Sequence, residues 1–249
     1  LIARIAADSK YWLWINDQLV IFEGGLKRGP SPSGTYYDPV DIAPYLTKGS
    51  NTIAILLWHF GKDGFSHINS GKAALLFEAI APGLEIVSDA SWQCALYEAY
   101  QNTEAPFPNY RMPESNIRFD ARQAITNWNR TSFEGSLPGA VCVGKAGKAP
   151  FGELVERPIP QWKNSGLLSY VSVRESLRGD TLFCRLPYNA QITPYLKVEA
   201  EAGKTIHIRM DNYEGGSERN VRAEYITHEG EQEYESYGWM NGHEVYYII

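Results

Sequence analysis

Short apolar or alternating runs, each closed by Gly, Pro, Asn or Asp, constrain this chain more than any other feature. LIARIAA runs to Asp8, and YWLWI (11–15), QLVIFE (18–23), YYDPVDIAPYL (36–46), TIAILLWHF (52–60), AALLFEAI (73–80) and LEIVSD (84–89) follow. That spacing predicts an antiparallel all-β protein. Asn16-Asp17 between two apolar runs predicts a two-residue hairpin, and the near-continuous TIAILLWHF predicts a strand in a sandwich core. Around 145–166, Pro150, Pro158 and Pro160 hold the chain extended. Beyond them LLSYVSV (167–173), GDTLFCRLPY (179–188), ITPYLKVEAE (192–201), KTIHIRMD (204–211), VRAEYITHE (221–229) and QEYESYGWM read as a meander of sandwich strands. The expected organisation is therefore a first β-sandwich domain over 1–157 with an extended tail, a linker at 158–166 and a second β-sandwich over 167–249 that is expected to be truncated.

Two places depart from plain strands. FDARQAITNW (119–128) is the best helical candidate, with Asp120 as its N-cap. Asn241-Gly242, between SYGWM and HEVYYII, predicts a type I′ turn flanked by Trp239 and His243. The chain opens inside one alternating run and ends inside another, so it is expected to be a piece of something longer, and its compartment is not readable from targeting signals.

Composition narrows the function classes. The 249 residues carry a net charge of −6, and no run of Lys or Arg tracks a phosphate backbone, which argues against nucleic acid. No apolar stretch approaches the roughly 20 residues of a membrane-spanning helix. Cys94, Cys142 and Cys184 are odd in number, lack metal-type spacing and sit in strand-like contexts, so buried free thiols are expected. The 7 Trp and 16 Tyr suit β-strands, and they equally suit binding surfaces, where a ring with one wet end is favoured.

Catalytic signatures are missing from the sequence. There is no G-x-S-x-G, no H-E-x-x-H, no phosphate loop and no EF-hand, which leaves open only a calcium site assembled from separate loops. Glycoside hydrolysis needs two carboxylates roughly 5–9.5 Å apart. The acids Glu78, Glu85, Glu153, Glu156, Asp211, Glu214 and Glu224 read mostly as solvated or structural groups. The one aromatic-polar concentration is the end of the TIAILLWHF strand and the loop after it. There Trp58, His59, Phe65, His67 and Asn69 are candidates for holding a sugar, aromatic faces against its C–H side and polar groups at its hydroxyls. The plainer reading makes Trp58 and Phe60 core and the loop merely polar.

Several stretches resemble, in order, the non-catalytic N-terminal region of bacterial α-L-rhamnosidases, glycoside hydrolases that remove terminal rhamnose. They are IAADSKYWLWINDQLV (5–20), YYDPVDIAPYLTKGSNTIAILLWHFG (36–61), SDASWQ (88–93), FDAR (119–122), GELVERPIP (152–160), LPYNAQITPYLKVEAEAGKTIHIRM (186–210) and GEQEYESYGWMNGHEVYYI (230–248). The resemblance implies a galactose-binding-like jelly roll followed by a second β-sandwich. It also implies a large helical (α/α) barrel after them, in the same polypeptide, that carries the catalytic acids and inverts configuration. No position here matches the family's catalytic motifs, so no catalytic residue is assigned. The implied partners are that barrel and a rhamnose-containing glycan or glycoside, and breakdown of a bacterial glycan would place the parent in the periplasm or outside the cell. The alternative from another class is an independent, lectin-like carbohydrate-binding module, with calcium as its one conceivable cofactor.

Overall fold

Alternating side chains become strands wherever one face has something apolar to cover. The computed structural model describes residues 1–26, 29–64, 67–107, 116–213 and 220–249, and within them the chain is all-β apart from short 3-10 turns. In chain order the strands are β1 (Ile2–Asp8), β2 (Lys10–Ile15), β3 (Gln18–Gly24), β4 (Gly34–Asp41), β5 (Ile53–Trp58), β6 (Ala74–Ala81) and β7 (Leu84–Val87). After these come β8 (Tyr100–Asn102), β9 (Ile117–Asp120), β10 (Glu153–Glu156), β11 (Ser172–Glu175), β12 (Thr181–Ile192) and β13 (Tyr195–Ala200). The last are β14 (Thr205–Met210), β15 (Ala223–Ile226), β16 (Gly230–Glu235) and β17 (Met240–Ile248). Among the described residues no helix is long and apolar enough to cross a membrane.

The strands divide between two units, one made of Leu1–Leu96 with Thr126–Asn164 and the other of Tyr97–Ile125 with Ser165–Ile249. In the first unit a five-stranded sheet (β10-β4-β1-β6-β7) faces a three-stranded sheet (β3-β2-β5). Ala3, Ile5, Val40 and Phe77 of one layer and Leu13, Ile15 and Ile21 of the other share one core. Full burial of each large apolar side chain contributes about 1.5–3 kcal/mol. The β2–β3 hairpin forms where the sequence predicts it: Ile15 pairs with Gln18, and Asn16 and Asp17 both have positive φ (47° and 70°), as a type I′ turn requires. β10 joins parallel to β4. Gly152, just before it, has a φ of 65° and comes so close to the Ser33 carbonyl that any Cβ would collide with it. Directly after β10, buried Arg157 pairs with Asp38 at 3.0 Å, and Asp38 also accepts from the Tyr11 hydroxyl and the Gly25 amide, both at 2.8 Å.

The second unit has a seven-stranded sheet in the order β11-β12-β17-β14-β15-β9-β8 and a two-stranded sheet, β13-β16, over part of its inner face. This is not the meander expected from sequence. Alternation tells each strand which face is inward but says nothing about its neighbour, and β12 pairs with the distant β17 rather than with β13. An aromatic stack of Phe119, Tyr225 and Tyr234, with centroids 4.7 and 5.1 Å apart between Tyr234 and the other two, fills the space between the two layers.

Three further expectations are corrected. The 119–128 segment is no α-helix: Phe119 and Asp120 belong to β9, which pairs parallel with β15, and only Ala121–Gln123 form a 3-10 turn. Asp120 does cap it, accepting from the Arg122 amide at 3.1 Å. Asn241-Gly242 is not a turn either. Both residues lie inside β17, opposite Gln191 and Ala190, and the glycine is needed because a Cβ would fall on Asp211 Oδ1 and crowd Met210. Finally, only Cys184 is a buried thiol; Cys94 and Cys142 are exposed, because the runs that carry them form no strands.

Candidate functional site

In the first unit the chain passes from one sheet to the other at Asp8-Ser9, whose peptide bond is cis. β1 ends at Asp8 and β2 begins at Lys10, beside the end of β5, so the Ser9 amide donates to the Trp58 carbonyl at 3.0 Å. The Ser9 hydroxyl gives its proton to Asp8 Oδ1 at 2.7 Å and accepts from the Phe60 amide at 3.1 Å. Its remaining lone pair faces His67 Nε2 at 3.1 Å, which assigns the proton of that imidazole to Nε2 by hydrogen-bond accounting. The same Nε2 stands 3.4 Å from Asp8 Oδ1. On the other oxygen, Asp8 accepts the Ser70 amide at 2.6 Å. Burial alone would raise the Asp8 carboxyl, but the hydrogen bonds from His67, Ser70 and Ser9 outweigh it and hold Asp8 well below the usual carboxylate range.

The five candidates of the sequence reading fall into different environments. Trp58 is half-buried, stacked on Trp12 at 6.2 Å and edge-on to Phe60 at 5.3 Å. His67 is buried and meets the Phe60 ring edge-on at 5.0 Å. His59 is partly exposed, with Nδ1 3.6 Å from Asp8 Oδ1 and no hydrogen bond at that buried nitrogen. Asn69 caps its own loop: its amide donates to Asp63 Oδ1 at 2.7 Å and its side-chain oxygen accepts from the Gly71 amide at 2.9 Å. Phe65, like the neighbouring Ser66 and the acid Glu214, lies outside the described residues. The structure thus brings His59 and His67 together at one carboxylate, with Trp58 and Phe60 behind them.

Sequence reasoning missed Asp8 and Ser9, which organise this corner. Serine, imidazole and carboxylate meet here, yet Asp8 and His67 both engage the hydroxyl itself and Ser9 is buried, so the group holds residues 67–70 in place rather than presenting a nucleophile. Beside it opens a shallow cleft of about 70 Å³. Asp8, His67, Asn69 and Ser70 form one wall, and residues 31–35 with Pro150 and Phe151 form the other. No group of three or more His, Cys, Asp or Glu side chains that could hold a metal ion occurs among the described residues.

The second unit has a different polar centre. Glu224 on β15 stands between Arg118 of β9 and His207 of β14 in one cross-strand row, and the neighbouring Arg222 donates to its Oε1 at 2.7 Å. Rather than facing solvent as expected, Glu224 is buried: Arg222 also donates to the Glu104 and Pro106 carbonyls, at 2.6 and 2.8 Å, which lays that segment over the row. Burial lowers the pKa of His207, and the Glu224 carboxylate opposes that shift only in part. At Asp211, burial is outweighed by the amides of Glu244 and His243, which keep the carboxyl low, and the His243 ring sits 3.3 Å from its second oxygen. His243 is therefore tied to a strand-anchoring carboxylate.

No family model matches the chain, and no curated protein matches it. Solved structures do. The chain is similar to the α-L-rhamnosidase of Dictyoglumus thermophilum, with 19% identity, a TM-score of 0.72 and coverage of 99% of this chain and 28% of that one. For the α-L-rhamnosidase of Aspergillus terreus the figures are 19%, 0.68, 98% and 30%. For the α-L-rhamnosidase of Streptomyces avermitilis, solved with L-rhamnose, they are 18%, 0.67, 99% and 25%. The chain spans less than a third of the length of each, and the likeness is one of fold.

Proposed function

We propose that this chain is the non-catalytic β-sandwich region of an α-L-rhamnosidase-like glycoside hydrolase, the support on which a helical (α/α) barrel is mounted. The observation that carries the reading is the end-to-end likeness: nearly the whole chain follows the fold of three rhamnosidases while accounting for only a quarter to a third of each. In this reading the first sandwich is a galactose-binding-like jelly roll. The barrel's two carboxylates perform inverting hydrolysis, one protonating the leaving oxygen and the other activating water. The coding sequence beyond Ile249 tests it. A run of long amphipathic helices bearing acidic residues is expected, and an immediate stop codon overturns the reading. The isolated chain is expected to leave an aryl α-L-rhamnoside intact, and enzyme-like turnover would show that the chemistry resides here after all.

A second reading, an independent carbohydrate-binding module, draws its support from the cleft beside Asp8. There Asn69 would meet the sugar while His67, being buried, positions the loop; Trp58 and His59 are not among the residues that line the cleft. Calorimetry with L-rhamnose and rhamnosides, with and without calcium, is the test, and absence of heat in both arms removes this reading.

A further inference from the structure

Both layers of the second unit carry charge on their outer faces, and the signs differ. On the two-stranded sheet the outward residues of β13 and β16 include Glu199, Glu231, Glu233 and Glu235, against the single cation Lys197. Side chains alternate along a strand, so on the seven-stranded sheet the residues between the core positions Cys184, Val245 and Met210 face outward. There one cross-strand row runs Arg174–Phe183–Tyr246–Arg209, from β11 through β12 and β17 to β14. The neighbouring row runs Ser172–Arg185–Glu244. Arg174, Arg185 and Arg209 thus share this stretch with one carboxylate, in a protein whose net charge is −6. Arg174 lies over the Phe183 ring, 3.7 Å from its centroid, and Tyr246 braces that ring edge-on at 5.0 Å. Stacking fixes the plane of the guanidinium and leaves its in-plane N–H groups for a partner. One of them meets Glu244 Oε2 at 3.4 Å, long beside the roughly 2.7–2.9 Å of a charge-assisted bond. Arg185 is exposed, and although Glu244 is its cross-strand neighbour it makes no ion pair among the described residues.

We infer that this arginine face, centred on Arg174 and Arg185, binds a carboxylate-bearing glycan, the guanidinium forks taking the carboxylates of an acidic saccharide. Lysine would supply charge alone, whereas a planar guanidinium pairs with both oxygens of a carboxylate. Glu244 already presents a carboxylate to Arg174 at a loose distance, so a better-placed one displaces it. Arg185 adds a second fork on the next row of the same face, with no partner to give up. That the carboxylate arrives on a glycan rests on the glycoside-hydrolase reading. The acidic surface elsewhere repels polyanions, which confines binding to this face and makes it weaken with salt.

Calorimetry of the 249-residue chain with a short oligogalacturonate tests this, its methyl ester serving as the neutral control. Heat from the acid and none from the ester are expected. The Arg174→Gln/Arg185→Gln double variant should weaken binding at least about tenfold. Arg185→Gln alone, whose side chain has no ion pair to lose, should leave the melting temperature unaltered. Arg185→Lys, which keeps the charge but not the fork, should also weaken binding, whereas Glu244→Gln should tighten it and Lys197→Gln on the acidic layer should not change it. Equal affinity in the double variant and wild type, or equal heat from the ester, overturns the inference. Tighter binding of polyglutamate or of a single-stranded oligonucleotide through the same arginines assigns the face to a protein or a nucleic acid and overturns the glycan. Salt-reversible self-association in ultracentrifugation assigns it to the acidic layer of a second copy, which overturns it too. No binding to a chain whose full-length protein hydrolyses an aryl α-L-rhamnoside removes this inference and leaves the functional reading intact.

Discussion

Asp8 in the first unit and Glu224 in the second are both buried carboxylates, and they are partnered by opposite means. Asp8 is surrounded by single hydrogen-bond donors, the Ser9 hydroxyl, the Ser70 amide and a His67 imidazole N–H. Glu224 faces a buried guanidinium, Arg222, which is itself tied to two backbone carbonyls. The first arrangement depends on geometry: the adjacent Ser9 and the loop carrying His67 and Ser70 must meet at one oxygen pair, and that loop is thereby fixed. The second depends on charge, and it fastens one segment across a sheet. Single donors around a carboxylate can be lost one at a time, whereas a buried ion pair that loses one partner leaves an uncompensated charge.

That contrast orders the expected effects. Arg222→Met strips the nearer of two guanidinium groups from Glu224, leaving Arg118 at 3.6 Å, and should cost about 3–5 kcal/mol of stability, read by denaturant unfolding. A loss under about 1 kcal/mol would show that water reaches Glu224 and that the two sites do not differ as argued. Ser9→Ala removes one donor to Asp8 and the acceptor for Phe60 and His67, for about 1–3 kcal/mol. Its loop, residues 67–70, should also exchange amides faster, a readout Arg222→Met should not move. Equal loop exchange in wild type and S9A would sink the claim that Ser9 positions it.

Acid should distinguish the sites further. Because the folded Asp8 carboxyl lies below its unfolded value of about 3.9, its contribution is fully present above that pH and disappears as pH falls toward the lower folded value. Asp8→Asn should therefore lower stability at pH 7 and flatten the decline below pH 4. The smallest effect belongs to His207. Burial lowers its folded pKa, so the unfolded chain binds more protons and stability should decline gently as pH drops through about 6.5. His207→Gln should remove that slope from the melting temperature between pH 7 and 5; an unchanged slope would assign it to another group.

Much of this was legible in residue order. The runs at 2–8, 10–15, 18–24 and 53–58 became strands because alternation with two-residue or Gly/Pro turns leaves the backbone few other ways to bury one face. The Asn16-Asp17 hairpin followed from local turn chemistry alone. Of the candidate corner, the loop residues His59, His67 and Asn69 were visible, since polar groups directly after an apolar run stand out. Asp8 and Ser9 were not, because in sequence they are only the polar end of an apolar run.

Asn-Gly at 241–242 shows why local signals fail. The dipeptide favours a turn in isolation, but Asp211 and Met210 pack so close that the position needs a glycine for its missing side chain rather than for its dihedral freedom. Similarly, 119–128 has a capping residue, yet pairing with β15 claims Phe119 and Asp120 first. By itself the sequence determined that this protein is all-β and where most strands and one hairpin lie, because those depend on side-chain period and turn residues within a few positions. Strand partners and the carboxylate corner at Asp8 were decided only in the tertiary structure. Each is set by contacts between segments whose separation along the chain leaves no periodic trace.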